Sequence, residues 1–457
     1  MLSTYELARV IGGRALGADG RFNSVTTDSR TIEEGALFIA LRGERFDGHD
    51  FAAEALRRGA VAALVDVESK LAGQIPNVSL VEVGDTKAAL GRFAAWWRAR
   101  FGLPLIGVVG SNGKTTVKEM IASILHAQFG DASVLSTAGN LNNDIGVPLT
   151  LLRLRLSHRV GVIEIGMNHP GETAVLAGIA RPTIGLINNA QREHQEFMGS
   201  VEEVAAEHGA LIAALPPDGV AIINADDAHA GKWRALVSSR AIRTFGLHAT
   251  ADVSGKYDQQ GMQTRLTISM PEGTAQAALH IPGLHNVGNA LAAAAATSAV
   301  GCGVQAIGYG LTAFRPAKGR LQQLVGARGQ ALIDDTYNAN PDSVLAAIDI
   351  LASIPGPRIL VLGDMGEVGA QGGAYHAEVG RYAREQGIDR LFCLGEQTKA
   401  SIASFGAGGE HFMHFEALMK RLLSATPESA TILVKGSRFM RMERVIAQLQ
   451  SGESACS

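Results

Sequence analysis

The chain of 457 residues has few cysteines, almost no net charge and no hydrophobic run long enough to cross a bilayer. Its three cysteines, Cys302, Cys393 and Cys456, are odd in number, far apart and without metal-binding spacing. We therefore expect reduced thiols in a cytoplasmic protein. The net charge is −3 and the basic residues are dispersed, so the sequence offers no basic surface typical of nucleic-acid binding.

Membrane and export signals are also missing from the sequence. The most apolar window, residues 290–300, is alanine-rich and too short for a membrane span, so it predicts a buried helix. The first ten residues have no basic segment followed by an apolar stretch, and we expect no signal peptide. Glycine is abundant, at 54 residues, which suits an α/β protein with many tight turns.

The length predicts about three domains, and the sequence pattern divides the chain at two linkers. Residues 1–102 mix short strands and helices and end at a Gly-Leu-Pro linker. Residues 103–314 alternate strands and helices, which is typical of a parallel sheet. Residues 315–457 restart that alternation as a Rossmann-like unit. The predicted class is α/β, with a small N-terminal domain, a central phosphate-loop domain and a C-terminal Rossmann-like domain.

The segment 107–116 reads Gly-Val-Val-Gly-Ser-Asn-Gly-Lys-Thr-Thr and predicts a phosphate-binding loop. It follows an apolar strand and precedes a stretch of helical periodicity. Gly110 and Gly113 allow backbone N–H groups to turn toward phosphate oxygens. Lys114 adds a positive charge for the terminal phosphates, and the Thr115 hydroxyl is placed to bind Mg²⁺.

The loop is a compact variant of the Walker motif, because position 108 holds valine where the longer spacing has glycine. Strand, loop and helix agree with one another, and a chance glycine turn explains this agreement poorly. The sequence therefore predicts that the chain binds a nucleoside triphosphate.

Two further residues follow predicted strands of the central segment. Glu164 lies near the end of an apolar strand, where ligands gather in an open α/β sheet, and it is placed either to hold Mg²⁺ or simply to close the strand. His194 follows the next strand and is either a metal ligand or a solvated imidazole. The sequence alone leaves both alternatives open.

Polar loops in two other places have the same ambiguity. Residues 334–341, Asp-Asp-Thr-Tyr-Asn-Ala-Asn-Pro, follow a strand and suit either a nucleoside contact or a polar turn. Residues 283–289, Gly-Leu-His-Asn-Val-Gly-Asn, precede the alanine-rich helix.

In order and content these motifs resemble the Mur ligase family, which also includes folylpolyglutamate synthase. The resemblance rests on Gly110–Thr116, Glu164 and His285–Asn289 and covers essentially the whole chain. Further motifs are similar to the branch that adds D-alanyl-D-alanine to UDP-N-acetylmuramoyl-tripeptide: Thr27–Arg30, Gly35–Gly43, Phe46–His49, Gly139–Pro148, Asp335–Pro341 and Gly363–Glu367.

The resemblance implies an amide ligase that uses ATP and Mg²⁺, forms an acyl phosphate and closes its domains over the substrates. It implies a UDP-binding N-terminal domain, small-molecule substrates, a cytoplasmic location and a monomer. The alternatives are a tripeptide-forming Mur ligase, a folylpolyglutamate synthase, a P-loop small-molecule kinase and a non-catalytic nucleotide-binding scaffold.

Residue roles implied by the resemblance fall into three groups. Lys114, Glu164 and His194 are the expected catalytic residues, and Thr115, Glu164 and His194 the expected metal ligands. ATP is expected to contact Gly110, Ser111, Asn112, Gly113, Lys114, Thr115, Thr116, Asn286, Asn289, Arg320, Asp335, Tyr337 and Asn338. The UDP end is expected at Ser29, Arg30, Gly43 and His49, the muramoyl-peptide at Thr137, Asn140 and Asn142, and the acceptor carboxylate at Lys435 and Arg438.

One departure from the family concerns the helix after His194. Family members usually carry there a lysine, carbamylated in several of them, whereas residues 201–210 read Val-Glu-Glu-Val-Ala-Ala-Glu-His-Gly-Ala. Glu207 or His208 is therefore expected to supply the ligand of a second metal ion, unless that ion is held differently.

Overall fold

The computed structural model describes residues 1–44, 46–69, 71 and 78–451, so the prediction for Cys456 lies outside the described residues. The described part contains four β-sheets, of which three are mainly parallel and flanked by helices. This arrangement confirms the predicted α/β class with three domains.

The N-terminal sheet has five strands in the order β1-β5-β4-β3-β2. Strand β1 pairs antiparallel with β5, and the remaining pairs are parallel. The elements are α1 Thr4–Ile11, β1 Arg14–Leu16, β2 Ser24–Thr26, β3 Ala36–Ile39, α2 Ala52–Arg57, β4 Ala62–Asp66, β5 Leu80–Val83 and α3 Thr86–Arg98.

The central sheet has six parallel strands in the order β11-β10-β9-β6-β8-β7. Strand β6 lies between β8 and β9, so the loops that follow these three strands meet at one edge, where ligands bind in open α/β sheets. The elements of this sheet and its helices are β6 Leu105–Val109, α4 Lys114–Phe129, β7 Val134–Ser136, α5 Gly146–Leu152, β8 Val160–Glu164, α6 Glu172–Ala180, β9 Ile184–Ile187, α7 Val201–Ala213, β10 Val220–Asn224, α8 Ala230–Leu236 and β11 Ala241–Phe245.

A small antiparallel sheet, which the sequence analysis did not predict, follows the central sheet. It consists of β12 Ser254–Gln260, β13 Gln263–Met270 and β14 Gly273–Leu279, and it is followed by α9 Leu284–Ser298 and α10 Val304–Ala313. Helix α9 packs in the core between this sheet and α4 and is buried over most of its length. The prediction of a buried alanine-rich helix is therefore confirmed.

The C-terminal sheet has the order β15-β16-β20-β17-β18-β19 and is parallel except at the edge strand β15. The predicted Rossmann-like alternation is confirmed. The elements are β15 Gln322–Val325, β16 Ala331–Asp335, α11 Pro341–Ala352, β17 Arg358–Gly363, α12 Gly372–Glu385, β18 Arg390–Leu394, α13 Lys399–Phe405, β19 Gly409–Phe412, α14 Phe415–Ala425, β20 Thr431–Lys435 and α15 Glu443–Ser451.

The N-terminal domain joins the central one through a shared core around α3. Arg98 at the end of α3 is 4% exposed and donates to the carbonyl oxygens of Ala180, Phe101, Leu103 and Arg181. Because these carbonyls belong to the linker and the central domain, the junction is firmly packed. Within the described ranges, no helix combines the length and apolarity that crossing a membrane demands.

Candidate functional site

A cavity of about 630 Å³ lies between the carboxyl edge of the central sheet and the C-terminal domain. The central domain contributes the phosphate loop, the ends of β8 and β9, and the start of α9. The C-terminal domain contributes the loops after β16 and β17 and the last residue of β20. Residues predicted from distant parts of the sequence are thus brought together around one cavity.

The phosphate loop has a backbone that depends on its two glycines. Gly110 and Gly113 have φ values of 144° and 81°, in the region that favours glycine. A Cβ atom at Gly113 would lie 2.5 Å from Asn289 Oδ1, so a larger residue would also clash there. Helix α4 begins directly after Gly113 without a side-chain cap, which leaves its first N–H groups directed at the anion site that the sequence predicts.

A set of asparagines holds the loop in place. The Asn112 N–H donates to Asn189 Oδ1 at 2.8 Å, and Asn188 Nδ2 donates to Asn112 O at 2.8 Å and to Asn289 Oδ1 at 2.9 Å. Asn289 Nδ2 in turn donates to Asn286 Oδ1 at 2.9 Å. Asn286 and Asn289, predicted to contact the nucleoside, therefore line the cavity and also support the phosphate loop, together with Asn188 and Asn189, which the sequence analysis missed.

Lys114 is held by its own loop and by a carboxylate that was not predicted. Its Nζ donates to Gly110 O at 2.5 Å and to Ser111 O at 3.3 Å. The same nitrogen lies 2.5 Å from Glu193 Oε1, and the Glu193 side chain is only 8% exposed. Glu193 directly precedes the predicted ligand His194, but no local pattern around it signals an ion pair with the phosphate loop.

Glu164 is fixed at the end of β8 by two of the residues predicted to contact the muramoyl-peptide. Asn142 Nδ2 donates to Glu164 Oε1 at 2.7 Å, and the Glu164 N–H donates to Thr137 Oγ1 at 3.0 Å. Glu164 is 1% exposed and its Oε2 has no hydrogen-bond partner. Thr137 is buried outside the cavity lining, whereas Asn142 lines the cavity, and the contacts predicted between these residues and the muramoyl-peptide stay predictions.

The donor atoms present fit Mg²⁺, which prefers oxygen ligands and retains phosphate and water among them. The Thr115 hydroxyl and Glu164 Oε2 are buried oxygens without a hydrogen-bond partner, and both residues line the cavity. Among residues 1–44, 46–69, 71 and 78–451, no group of three His, Cys, Asp or Glu side chains is arranged for a metal. A site completed by phosphate oxygens does not need such a group.

His194 lines the cavity as predicted, but it also faces the C-terminal domain. Its Nδ1 lies 2.6 Å from Glu367 Oε2, and its Nε2 lies 3.6 Å from Glu193 Oε1. The His194 side chain lowers the pKa of Glu367. Both residues have positive φ, 48° for His194 and 58° for Glu367, so backbone strain is concentrated where the two domains meet. The role of His194 as a metal ligand stays a prediction.

The two residues expected to replace the family's lysine both lie on α7, outside the cavity lining. Glu207 accepts hydrogen bonds from the N–H groups of Gly171 at 2.8 Å and Thr173 at 2.7 Å, so it caps helix α6. His208 is 1% exposed, with Nε2 3.5 Å from Ser111 Oγ. Burial, with the nearby charge of Lys114, lowers its pKa well below the usual value, which keeps the imidazole neutral. The roles of Glu207 and His208 as metal ligands stay predictions.

The C-terminal wall of the cavity carries the predicted nucleoside residues. Arg320 stacks on the Tyr337 ring, with its guanidinium carbon 4.0 Å from the ring centroid. Lys435 Nζ lies 2.6 Å from Asp335 Oδ2 and donates to Asn338 O at 2.9 Å. All five residues line the cavity.

Arg438 is the predicted residue of this domain that lies apart from the cavity lining. Its side chain is 64% exposed and pairs with Glu443 at 3.0 Å. Lys435, by contrast, is buried against Asp335, so a role in binding the acceptor carboxylate requires that this ion pair be shared or broken.

The residues predicted for the UDP end lie on the N-terminal domain, outside the cavity lining, and their roles stay predictions. Ser29 and Arg30 form a short turn capped by Asp28, whose pKa the Arg30 side chain lowers to about 2. His49 is 7% exposed, with Nδ1 2.5 Å from Asp47 Oδ1 and Nε2 accepting the Asp66 N–H at 2.9 Å. Its nitrogens therefore hold the loop to β4. Gly43 lies on that loop, and Asn140, predicted for the muramoyl-peptide, is exposed outside the cavity lining.

Arg192 connects the central and C-terminal domains across the mouth of the cavity. Its Nε and Nη2 donate to Asp342 Oδ1 at 3.0 and 2.6 Å, and its Nη1 donates to Glu378 Oε2 at 2.6 Å. The guanidinium carbon also lies 5.1 Å from the centroid of the Tyr375 ring. We call this set of hydrogen bonds the Arg192 fork. A planar guanidinium bonded to two carboxylates fixes the relative position of the groups it joins more narrowly than a lysine ammonium would.

We expect Arg192→Ala to lower kcat/KM about tenfold or more, because two carboxylates lose their partner and the closed arrangement weakens. Small-angle scattering should show a larger radius of gyration for this variant. Arg381→Ala on α12 is the control, since that exposed side chain pairs with Glu385 on the same helix and lies outside the cavity lining. Unchanged catalysis and scattering in the Arg192 variant would contradict this role.

The comparisons with known proteins agree with this architecture. The description "Mur ligase family, catalytic domain" matches residues 21–98, "Mur ligase middle domain" matches 108–297, and "Mur ligase, glutamate ligase domain" matches 319–438. The chain belongs to the Mur ligase family.

The similar proteins point to one branch of the family. The UDP-N-acetylmuramoyl-tripeptide--D-alanyl-D-alanine ligase of Escherichia coli (strain K12) is 43% identical over 97% of this chain and 97% of its own. A crystal structure of MurF from Acinetobacter baumannii has a TM-score of 0.88 at 33% identity, covering 98% of this chain and 99% of that one. MurF ligase from Thermotoga maritima in complex with ADP has a TM-score of 0.82 at 26% identity, covering 94% and 97%.

Proposed function

We propose that this protein is an ATP-dependent ligase that joins D-alanyl-D-alanine to UDP-N-acetylmuramoyl-tripeptide. The products are ADP, phosphate and the UDP-N-acetylmuramoyl-pentapeptide used in peptidoglycan synthesis. The observation that carries this proposal is the cavity between the phosphate loop and the C-terminal domain, in a chain 43% identical to a relative of that name over nearly its full length.

The first step activates the terminal carboxylate of the tripeptide. A carboxylate oxygen attacks the γ-phosphorus of ATP, the bond to the β-phosphate oxygen breaks, and an acyl phosphate and ADP result. Lys114 and the N–H groups at the start of α4 stabilise the negative charge on the transferred phosphoryl group. Thr115 and Glu164 are the residues that would hold Mg²⁺, which when bound neutralises phosphate charge.

In the second step the amine of D-alanyl-D-alanine attacks the acyl carbon, phosphate leaves and the nitrogen loses a proton. An acyl phosphate hydrolyses in water, so the site has to exclude solvent while the intermediate exists. The Arg192 fork and the contact between His194 and Glu367 lie where the C-terminal domain covers the cavity. They support a closed state that excludes solvent from the acyl phosphate.

The same proposal includes the binding positions of the substrates, the domain limits, the oligomeric state and the location of the protein in the cell. We place the UDP end on the N-terminal domain near Ser29, Arg30 and Gly43, and the acceptor near Lys435. We place the domain limits at residues 102/103 and 314/315. We infer a monomer that works in the cytoplasm, where Cys302 and Cys393, both buried free thiols, remain reduced.

The test is phosphate release from ATP with UDP-N-acetylmuramoyl-tripeptide and D-alanyl-D-alanine, leaving out each substrate in turn. Release that requires both, with a product heavier by one dipeptide, supports the proposal. A phosphorylated product without amide formation would indicate a kinase. Nucleotide binding without turnover would indicate a scaffold. Turnover with folate and glutamate in place of these substrates would indicate a folylpolyglutamate synthase.

A further inference from the structure

Glu193 is a buried carboxylate in the cavity wall to which the family resemblance gives no role. It lies in the loop between β9 and α7, and its side chain is 8% exposed. Its Oε1 contacts Lys114, whereas its Oε2 is buried without a hydrogen-bond partner. A buried carboxylate oxygen left in this way is costly unless something else binds it.

Two other buried oxygen atoms of cavity-lining residues also lack a hydrogen-bond partner. Thr115 Oγ1 and Glu164 Oε2 are also buried and without a hydrogen-bond partner, and both residues line the cavity with Glu193. All three are oxygen atoms, the donor type that Mg²⁺ prefers, and two of them carry carboxylate charge. A divalent cation satisfies such oxygens where a further hydrogen-bond donor is lacking.

The position of Glu193 next to Lys114 gives the second argument. Lys114 is placed to contact the terminal phosphates, so the carboxylate that touches it faces the same phosphates. Two anionic groups at such short range repel each other strongly in a partly buried site. A cation bound between the carboxylate and the phosphates converts this repulsion into attraction.

The neighbours of Glu193 hold the carboxylate at the cavity wall. His208 Nε2 lies 3.8 Å from Oε2, His194 Nε2 lies 3.6 Å from Oε1, and Lys114 lies in front. His208 is buried on α7, and at 3.8 Å its Nε2 is too far from Oε2 for a hydrogen bond.

We propose that Glu193 is an additional protein ligand of a divalent cation that binds together with the nucleotide. This inference rests on the nucleotide site of the proposed function and extends it. It assigns a metal-binding role to a carboxylate of the cavity wall, whereas Glu207 on α7 caps α6 and lies outside the cavity lining.

The test measures ADP binding by calorimetry, with and without Mg²⁺, in the full-length protein. The quantity of interest is the ratio of the Kd in EDTA to the Kd in saturating Mg²⁺. We expect Glu193→Gln to lower this ratio roughly tenfold or more, the scale on which loss of one metal-site contact acts. The Kd in EDTA should stay equal or fall, because a repulsive charge is gone. Glu196→Gln is the matched control, since Glu196 lies in the same loop but is exposed and outside the cavity lining.

A second background separates cation binding from simple pairing with Lys114. The Lys114→Met variant has no Lys114 ammonium, so changing Glu193 in that variant does not break an ion pair. Adding Glu193→Gln to that background should lower the Mg²⁺ ratio again. An unchanged ratio in either background would overturn the proposal and leave Glu193 as a counter-ion of Lys114 only. Failure of the unaltered protein to bind ADP at all would overturn the nucleotide site itself, and this inference with it.

Discussion

Replacing Lys114 by alanine is expected to reduce ligation about a thousandfold or more, because the charge that stabilises the transferred phosphoryl group is removed. The measurement is phosphate release under saturating substrates, with circular dichroism and thermal unfolding to verify the fold. Lys420→Ala, on the surface of α14, is the control for loss of a lysine elsewhere in the chain.

Lys114→Ala also leaves the buried Glu193 carboxylate without its partner, so lost stability has to be separated from lost catalysis. The double variant Lys114→Ala/Glu193→Gln removes that unpaired charge. It should regain thermal stability relative to the single variant but not activity. Near-normal ligation by either folded variant would contradict the role assigned to Lys114.

Glu164→Gln should lower kcat about a hundredfold or more, because loss of a residue that only orients a metal ligand already costs roughly 10- to 100-fold. The amide keeps the size of the side chain and can still accept the hydrogen bond from Asn142. When the amide oxygen accepts that hydrogen bond, the NH₂ group takes the place of Oε2. The side chain is then neutral, and an amide NH₂ group, which donates hydrogen bonds, does not bind Mg²⁺.

The diagnostic readout for Glu164→Gln is the Mg²⁺ dependence of the rate. We expect the half-saturating Mg²⁺ concentration to rise together with the fall in kcat, since the site loses one of its negatively charged oxygen ligands. Glu203→Gln is the control, because that exposed carboxylate lies at the start of α7, outside the cavity lining, and accepts a hydrogen bond from the Gly199 N–H. A fall in kcat with unchanged Mg²⁺ dependence would show that Glu164 acts otherwise than as a metal ligand.

Features set by consecutive residues were predictable from the sequence. The phosphate loop follows from Gly110, Gly113 and the apolar strand before them, since positive φ and a helix start are local properties. The buried helix predicted from the apolar window 290–300 is part of α9, Leu284–Ser298, whose bounds differ because a hydrophobic run does not reveal where helical hydrogen bonding begins and ends.

Features that depend on distant contacts were missed or given other roles. Thr137 and Asn142 were assigned to substrate, yet both hold Glu164, more than twenty residues away. Glu193 had no local signal, because its partner Lys114 lies 79 residues earlier in the chain. The antiparallel sheet had one signal in the sequence that was not used, namely the alternation of apolar and polar residues over 266–270, Leu-Thr-Ile-Ser-Met, within β13.

The most direct test of ligation through an acyl phosphate is an isotope-transfer measurement. The terminal carboxylate of the tripeptide is labelled with ¹⁸O, the reaction is run to completion, and the released phosphate is analysed by mass spectrometry. The attacking carboxylate oxygen stays with phosphorus when the amine displaces phosphate, so we expect one ¹⁸O atom in the phosphate for each amide formed. Amide formation that leaves the phosphate unlabelled would contradict the account.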